Sequence, residues 1–192
     1  MRPLLLVLAL LLPLLPTAAH ADASAQEAAL WAALREGGHV ALMRHALAPG
    51  TGDPPGFRVD DCTTQRNLSA AGRAQARAIG ARFRANGIAA AVVFSSQWCR
   101  CLDTARALSL GEVKPHPALN SFFTSRGEEA DQTRAARALI AEQSEAGTPL
   151  VLVTHQVNIT ALTGVFPASG ELIVMRVEGD ALSLAGRIAT SP

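Results

Sequence analysis

The hydrophobic pattern of this chain alternates between helical periodicity and short unbroken apolar runs. Residues 24–36 carry Ala28, Leu30, Trp31 and Leu34 at helical spacing, and Gly37-Gly38 ends that segment. His39 to Met43 is a buried-strand pattern that stops at Arg44-His45. Residues 46–65 contain Gly50, Gly52, Pro54, Pro55 and Gly56 and read as one long loop. Ser69 is placed to cap a helix reaching Asn86, with Ala76, Ile79 and Phe83 on one face and Gly87 as its stop. Ala89 to Phe94 is a second apolar run, followed by a helix over 97–110 and a weakly signalled strand near Val113. Thr133 to Glu145 is helical, and Leu150 to Val153 is a third apolar run ending at Thr154-His155. Glu171–Val177 and Ala181–Ile188 are the last strands, joined by a Gly179-Asp180 turn. Strands that do not alternate, separated by helices, predict an α/β fold: a three-layer sandwich whose mostly parallel sheet is covered by helices on both faces.

Residues 1–21 break from this pattern. Arg2 precedes an apolar stretch from Leu4 to Leu15, and Ala19-His20-Ala21 has the small-x-small form of a cleavage site. The segment is expected to be a secretory signal peptide, too short for a membrane span. No cysteine sits directly after the cleavage point, so no lipid anchor is expected. The mature domain would cover residues 22–192 and lie in the periplasm or outside the cell.

The chain has 192 residues and a formal net charge of +1, which falls to zero once Arg2 is removed. A nucleic-acid binder carries a basic excess, so no nucleic-acid partner is expected. After cleavage every basic residue except Lys114 is arginine, the side chain whose planar fork grips phosphate oxygens in pairs. Export favours one disulfide among Cys62, Cys99 and Cys101. Cys99 and Cys101 are too close to pair without strain, so Cys62 is expected to bridge to one of them, stabilising the fold by ~4 kcal/mol in the chain-entropy model.

The polar residues gather where strands end. Arg44 and His45 follow the first strand, Ser95, Ser96 and Arg100 the second, and His155 the third. Ligands of open α/β sheets bind beyond the carboxyl ends of the strands. One such residue alone would be a cap or a surface ion pair; their joint arrival at one rim predicts an anion site. A neutral imidazole is a competent nucleophile toward phosphorus, and arginines can hold the equatorial oxygens. No P-loop, no HExxH zinc motif and no GxSxG elbow occurs, and neither a metal nor another cofactor is expected.

Four stretches carry a family resemblance. Leu42-Met43-Arg44-His45-Ala46 is similar to an Arg-His-Gly signature, with alanine for glycine. Leu68-Ser69-Ala70-Ala71-Gly72-Arg73-Ala74-Gln75-Ala76 resembles a Leu-Ser-x-x-Gly-x-x-Gln-Ala helix start. Ser95-Ser96-Gln97-Trp98-Cys99-Arg100-Cys101-Leu102-Asp103-Thr104-Ala105 resembles Ser-Ser-Pro-x-x-Arg-x-x-Gln-Thr-Ala. Val153-Thr154-His155 resembles a second-histidine strand. In this order and spacing the set resembles the histidine phosphatase superfamily, whose fold is that of phosphoglycerate mutase. The resemblance implies that His45 is the nucleophile, forming a phosphohistidine, and that Arg44, Arg100 and His155 bind the phosphoryl group. It also makes Arg66 a further phosphate contact.

One departure narrows the chemistry. Where many members carry a glutamate proton donor in Leu-x-Glu, this chain reads Ala118-Leu119-Asn120. General-acid catalysis contributes ~10²–10⁴-fold, so either the leaving group is already good, as in a phosphoramidate, or another acid serves. Asp60, Asp61, Glu128 and Glu129 are the candidates. The long loop after His45 is expected to cover substrate, with Cys62 tying it to the Arg100 segment. Phe122 and Phe123 are assigned to core packing ahead of the pocket wall.

The expected activity is exported, metal-independent hydrolysis of a phosphate monoester or phosphoramidate. A mutase fits less well, because outside the cytosol it would lack sugar phosphates. Secreted members of the family act on envelope phosphates, which makes a small cell-envelope phosphate the expected substrate class. A non-catalytic phosphate-binding module is the alternative, favoured by Asn120, and a thiol or metal enzyme built on the cysteines is a third reading.

Overall fold

The computed structural model describes residues 18–144 and 147–191. Most of the expected signal segment, and with it the place of residues 1–17, lies outside the described residues. The elements run α1 (Ala18–Glu36), β1 (His39–Arg44), α2 (Ala70–Ala85), β2 (Val92–Ser95), α3 (Cys99–Leu108), β3 (Val113–Pro115), α4 (Glu129–Ser144), β4 (Leu150–Thr154), α5 (Gln156–Thr163), β5 (Leu172–Glu178) and β6 (Ala181–Ile188). The sheet order is β3-β2-β4-β1-β5-β6. β3, β2, β4 and β1 are parallel, while β5 and β6 run antiparallel at one edge.

The apolar runs are unbroken because both faces of the sheet are buried. Ala41, Met43, Val93, Val151, Val153 and Val174 face one helical layer, where Trp31, Ile79, Phe83 and Leu108 pack from α1, α2 and α3. Val40, Leu42, Phe94, Leu150, Leu152 and Ile173 face the other, against Leu139 and Ile140 of α4 and Ile159 and Leu162 of α5. The three-layer sandwich expected from the sequence is the observed architecture.

Among the helices, two starts and one whole element depart furthest from expectation. α1 is already helical at Ala18, the first described residue, ahead of the expected Ser24, and so runs through the expected cleavage point; alanine, the strongest helix former, dominates that stretch. α4 starts at Glu129 rather than Thr133, with Glu129 and Asp131 complementing the positive end of the helix in its first turn. α5 was not expected at all. Its sequence QVNITALT is rich in β-branched residues, which are poor helix formers, and burial of Val157, Ile159 and Leu162 outweighs that preference.

Register decides what the sheet delivers. Met43 and Arg44 pair with Val153 and Thr154, and Ser95 pairs with Val153. The backbone N–H of His45 donates to Thr154 O at 3.0 Å, and that of Ser96 to Val153 O at 2.9 Å. The chain therefore leaves β1, β2 and β4 at one level, with His45, Ser96 and His155 side by side.

Candidate active site

His45 is buried, 2% exposed. Its Nδ1 lies 2.8 Å from its neighbour's carbonyl, Ala46 O. A carbonyl can only accept, so Nδ1 carries the proton and the lone pair sits on Nε2. The ring of His155 stands edge-on at 5.6 Å between centroids. His155 Nε2 is 2.8 Å from Ser96 Oγ, and its Nδ1 is 3.5 Å from Arg100 Nη2. The convergence of residues 45 and 155, on which the anion-site reading depends, is present.

The segment leaving His45 is held by residues of the other motifs. Thr104 Oγ1 accepts from Ala46 N at 3.0 Å, and Gln75 Oε1 accepts from Leu47 N at 3.0 Å. Ser69 caps α2 by accepting from Gly72 N at 3.0 Å, and its own N–H donates to Leu47 O at 3.1 Å. A Cβ on Gly72 would stand 2.0 Å from Leu47 O, so only glycine lets α2 approach this turn. Ala46 is fully buried against Ala48, Leu68 and Ala76, and the alanine is accommodated without displacing these bonds.

Arg44 donates from Nη1 to Pro167 O at 3.0 Å, and its buried Nε has no partner among the described residues. Arg100, 3% exposed, is likewise left with an unpartnered buried Nε. Buried donors are nearly always satisfied in native proteins, so two orphaned guanidinium N–H groups beside the paired imidazoles suit an oxyanion. Arg66 comes close but spends its side chain elsewhere: Nε donates to Gly52 O at 2.7 Å and Nη1 to Ala48 O. It holds the loop as well as adding positive charge.

A cleft of 420 Å³ opens over this group, lined by Arg44, His45, Trp98 and His155, by residues 50–57, and by Phe123 on the far side. The loop after His45 thus covers the site as expected. Its far end is tied to the first residue of α3 by a Cys62–Cys99 disulfide, one position before Arg100. Cys101, two positions on, points inward as a buried free thiol. Substituting Cys62 with serine should cost ~4 kcal/mol of stability and weaken inhibition by vanadate. An unchanged vanadate inhibition constant would show that the bridge does not position the loop.

The candidate acids are not here. Asp61 caps a short 3₁₀ turn and pairs with Arg58. Asp60, Glu128 and Glu129 are exposed, and none of the four lines the cleft. Asn120 does not line the cleft: its Oδ1 accepts from Gln97 N at 2.9 Å and from Ser96 Oγ at 3.3 Å, and its Nδ2 donates to Gln97 Oε1 at 2.8 Å. The carboxylate on the cleft wall is instead Asp53, which sequence reasoning missed. The two phenylalanines divide: Phe122 is core, 1% exposed, and Phe123 lines the cleft.

The electrostatics favour neutral imidazoles. Burial, then the Arg100 charge, lowers the His45 pKa to about 3, and the same causes hold His155 well below its ordinary value. Burial pushes the Cys101 thiol up to about 12, so it is protonated and not a nucleophile. Burial alone would raise the Asp53 pKa, but hydrogen bonding and charge from Arg100 outweigh it and keep the carboxylate ionised. Because both histidines bind protons less readily folded than unfolded, stability is full above about pH 6.5 and is lost as pH falls toward 3. Urea unfolding between pH 7 and 4 should show a loss of up to about 2.7 kcal/mol per pH unit, halved in a His45→Gln variant. A midpoint independent of pH across that range would contradict buried neutral imidazoles. Among the described residues no cluster of His, Cys, Asp and Glu could hold a metal ion.

Comparison with known proteins agrees with this geometry. Residues 40–126 match the sequence profile of the histidine phosphatase superfamily, branch 1. A comparison with curated protein sequences finds no match. Among solved structures, the protein histidine phosphatase SixA complexed with tungstate is similar over 79% of this chain and 96% of its own, at 17% identity and a TM-score of 0.57. Phosphoserine phosphatase from Entamoeba histolytica, in complex with 3-phosphoglyceric acid, is similar over 79% and 97%, at 15% identity and a TM-score of 0.59. A SixA protein from Agrobacterium tumefaciens covers the same 79% and 97%, at 24% identity and a TM-score of 0.53. At these identities the structures speak for the fold; over residues 40–126, the stretch that holds His45 and Arg100, the chain is similar to the histidine phosphatase superfamily, branch 1.

Proposed function

We propose that this protein is an exported phosphatase that hydrolyses a phosphate monoester or phosphoramidate through a phosphohistidine on His45, without a metal. The observation that carries this reading is the state of His45: its Nδ1 proton is committed to Ala46 O, which leaves Nε2 as a lone pair beside two buried arginine N–H groups without partners. In the first step Nε2 attacks phosphorus and the bond to the leaving group breaks. In the second, water attacks phosphorus, the N–P bond breaks, and orthophosphate departs. Arg44, Arg100 and His155 hold the phosphoryl oxygens in both steps, and Arg66 adds charge while it supports the covering loop. Export is supported by the Cys62–Cys99 disulfide, since such bonds persist in oxidising compartments. No described helix is long and apolar enough to cross a membrane.

The cleft supports a small substrate. The Asn120 side chain is an amide with no acidic proton to give, which favours leaving groups that need little protonation, and phosphohistidine, named for the Agrobacterium tumefaciens SixA structure, has one. A cell-envelope phosphate is the class that fits an exported enzyme. The test is a panel of phosphate esters and phosphoramidates with chelator present, combined with rapid acid-free quenching to trap a base-stable, acid-labile phosphoenzyme. Hydrolysis without a trappable phosphoenzyme would reject the covalent route. Binding of phosphate without any hydrolysis would favour the second reading, a phosphate-binding module that has lost turnover, to which the amide at residue 120 points.

A further inference from the structure

Asp53 stands in a part of the site that the mechanism above leaves unused. It lies in the Gly/Pro-rich loop after His45, 47 residues before Arg100, and its side chain is 13% exposed against 3% for Arg100. Its two oxygens take both ends of the Arg100 fork: Nη1 donates to Oδ1 at 2.7 Å and Nη2 to Oδ2 at 3.1 Å. Trp98 Nε1 donates to Oδ2 at 3.0 Å and the Arg66 backbone N–H to Oδ1 at 3.1 Å. Every bond to this carboxylate therefore comes from a residue that flanks or belongs to the phosphoryl site.

The arrangement is directional. With the outer edge of Arg100 taken by Asp53, the hydrogen-bonding group left without a partner is the buried Nε. Nη2 keeps a second contact, 3.5 Å from His155 Nδ1. A bidentate carboxylate fixes the plane of a guanidinium as well as its position, so the Nε–H direction is set before any ligand arrives. The same carboxylate ties the loop to Trp98 and Arg66, and those two residues hold it at two further points: Gly52 O accepts from Arg66 Nε, and Phe57 stacks on Trp98 with ring centroids 5.0 Å apart.

We propose that Asp53 is a positioning residue which, through its bidentate pair with Arg100, aims the Arg100 Nε at the phosphoryl oxygens and latches residues 50–57 across the cleft. This rests on the phosphatase reading. It assigns Asp53 no proton transfer: a carboxylate held ionised by Arg100 is poorly suited to donate one to a leaving group.

Steady-state turnover of p-nitrophenyl phosphate and of an alkyl phosphate should be measured for the intact protein, D53N, D53A, R100K and the D53N/R100K double variant. D53N keeps the side chain's size and one acceptor, so it is the variant expected to fold if D53A does not; retained near-UV circular dichroism checks each. The expected result is a kcat at least about tenfold lower in D53N with a smaller change in KM, by the same factor for both leaving groups. In the R100K background D53N should then have little further effect, because the fork it serves is gone. A loss confined to the alkyl phosphate would make Asp53 a general acid and overturn the proposal. So would a kcat/KM that is unchanged or higher, which would make Asp53 a competitor for Arg100. A D53N effect of equal size in both backgrounds would also overturn it, since Asp53 would then act independently of Arg100. Absence of both turnover and vanadate binding in the intact protein would instead overturn the phosphatase reading, and this inference with it.

Discussion

His45→Ala is expected to lower kcat/KM by at least about 10⁴-fold, with complete loss of the acid-labile phosphoenzyme. The size of the effect follows from what else the site contains. Ser96 Oγ is already engaged with His155 Nε2, and Cys101 is a neutral buried thiol whose sulfur lies 3.5 Å from that same nitrogen. His155 has Ser96 on one ring nitrogen and Arg100 on the other. No other group on this rim offers a free, neutral lone pair to phosphorus. The variant should still fold, because the turn after His45 is held by backbone bonds to Thr104 and Gln75 rather than by the imidazole. It should also still bind vanadate, through the arginines. Residual activity within about tenfold of the intact protein, in a sample free of other phosphatases, would place the nucleophile elsewhere.

Arg100→Ala is expected to damage both activity and stability, in a way Arg44→Ala should not. Loss of a preorganised donor to a developing oxyanion costs about 10²–10³-fold in kcat, and this applies to either arginine. Arg100 additionally neutralises Asp53, and removing one member of a buried pair strands the other. Asp53 keeps an edge on the cleft, so we expect about 2–3 kcal/mol, below the cost of a fully buried charge. Arg44 is only half-buried and gives its carbonyl bond to a loop residue, so its removal should cost little stability. Arg100→Lys separates the two effects. The charge on Asp53 stays paired and the protein stays folded, while the planar fork and its Nε–H are lost and turnover falls with them. Urea denaturation of the three variants beside their kcat values checks this, and equal stability of the Arg44→Ala and Arg100→Ala proteins would refute the pairing argument.

The site was legible in unequal parts. His45, Arg44 and His155 could be found because each follows directly on an apolar run, and parallel strands of matched register must present their ends together. Arg100 was found from its motif, and Asp53 occupies the Nη end of its fork. Asp53 itself gave no signal. It sits among glycines and prolines, where an aspartate is usual in a turn, and every partner that gives it meaning is distant in sequence or comes into reach only when the loop folds back. The four acids named as candidate proton donors lie off the cleft: Asp60, Glu128 and Glu129 are exposed, and the short-range partners Arg58 and Thr63 satisfy Asp61. The choice between Cys99 and Cys101 was open for a similar cause. Positions two apart on a helix face different ways, and only packing shows that Cys99 meets the loop while Cys101 meets β4 and His155.

By itself, then, the amino-acid sequence determined the layers of the fold, the rim at which chemistry collects, and the two imidazoles with their arginines. These depend on local periodicity and on which residues follow a strand. The tertiary structure decided the tautomer of His45, the disulfide partner, the helix after His155 and the carboxylate that holds Arg100. Each of those depends on contacts between segments far apart in the chain, whose energies no local pattern encodes.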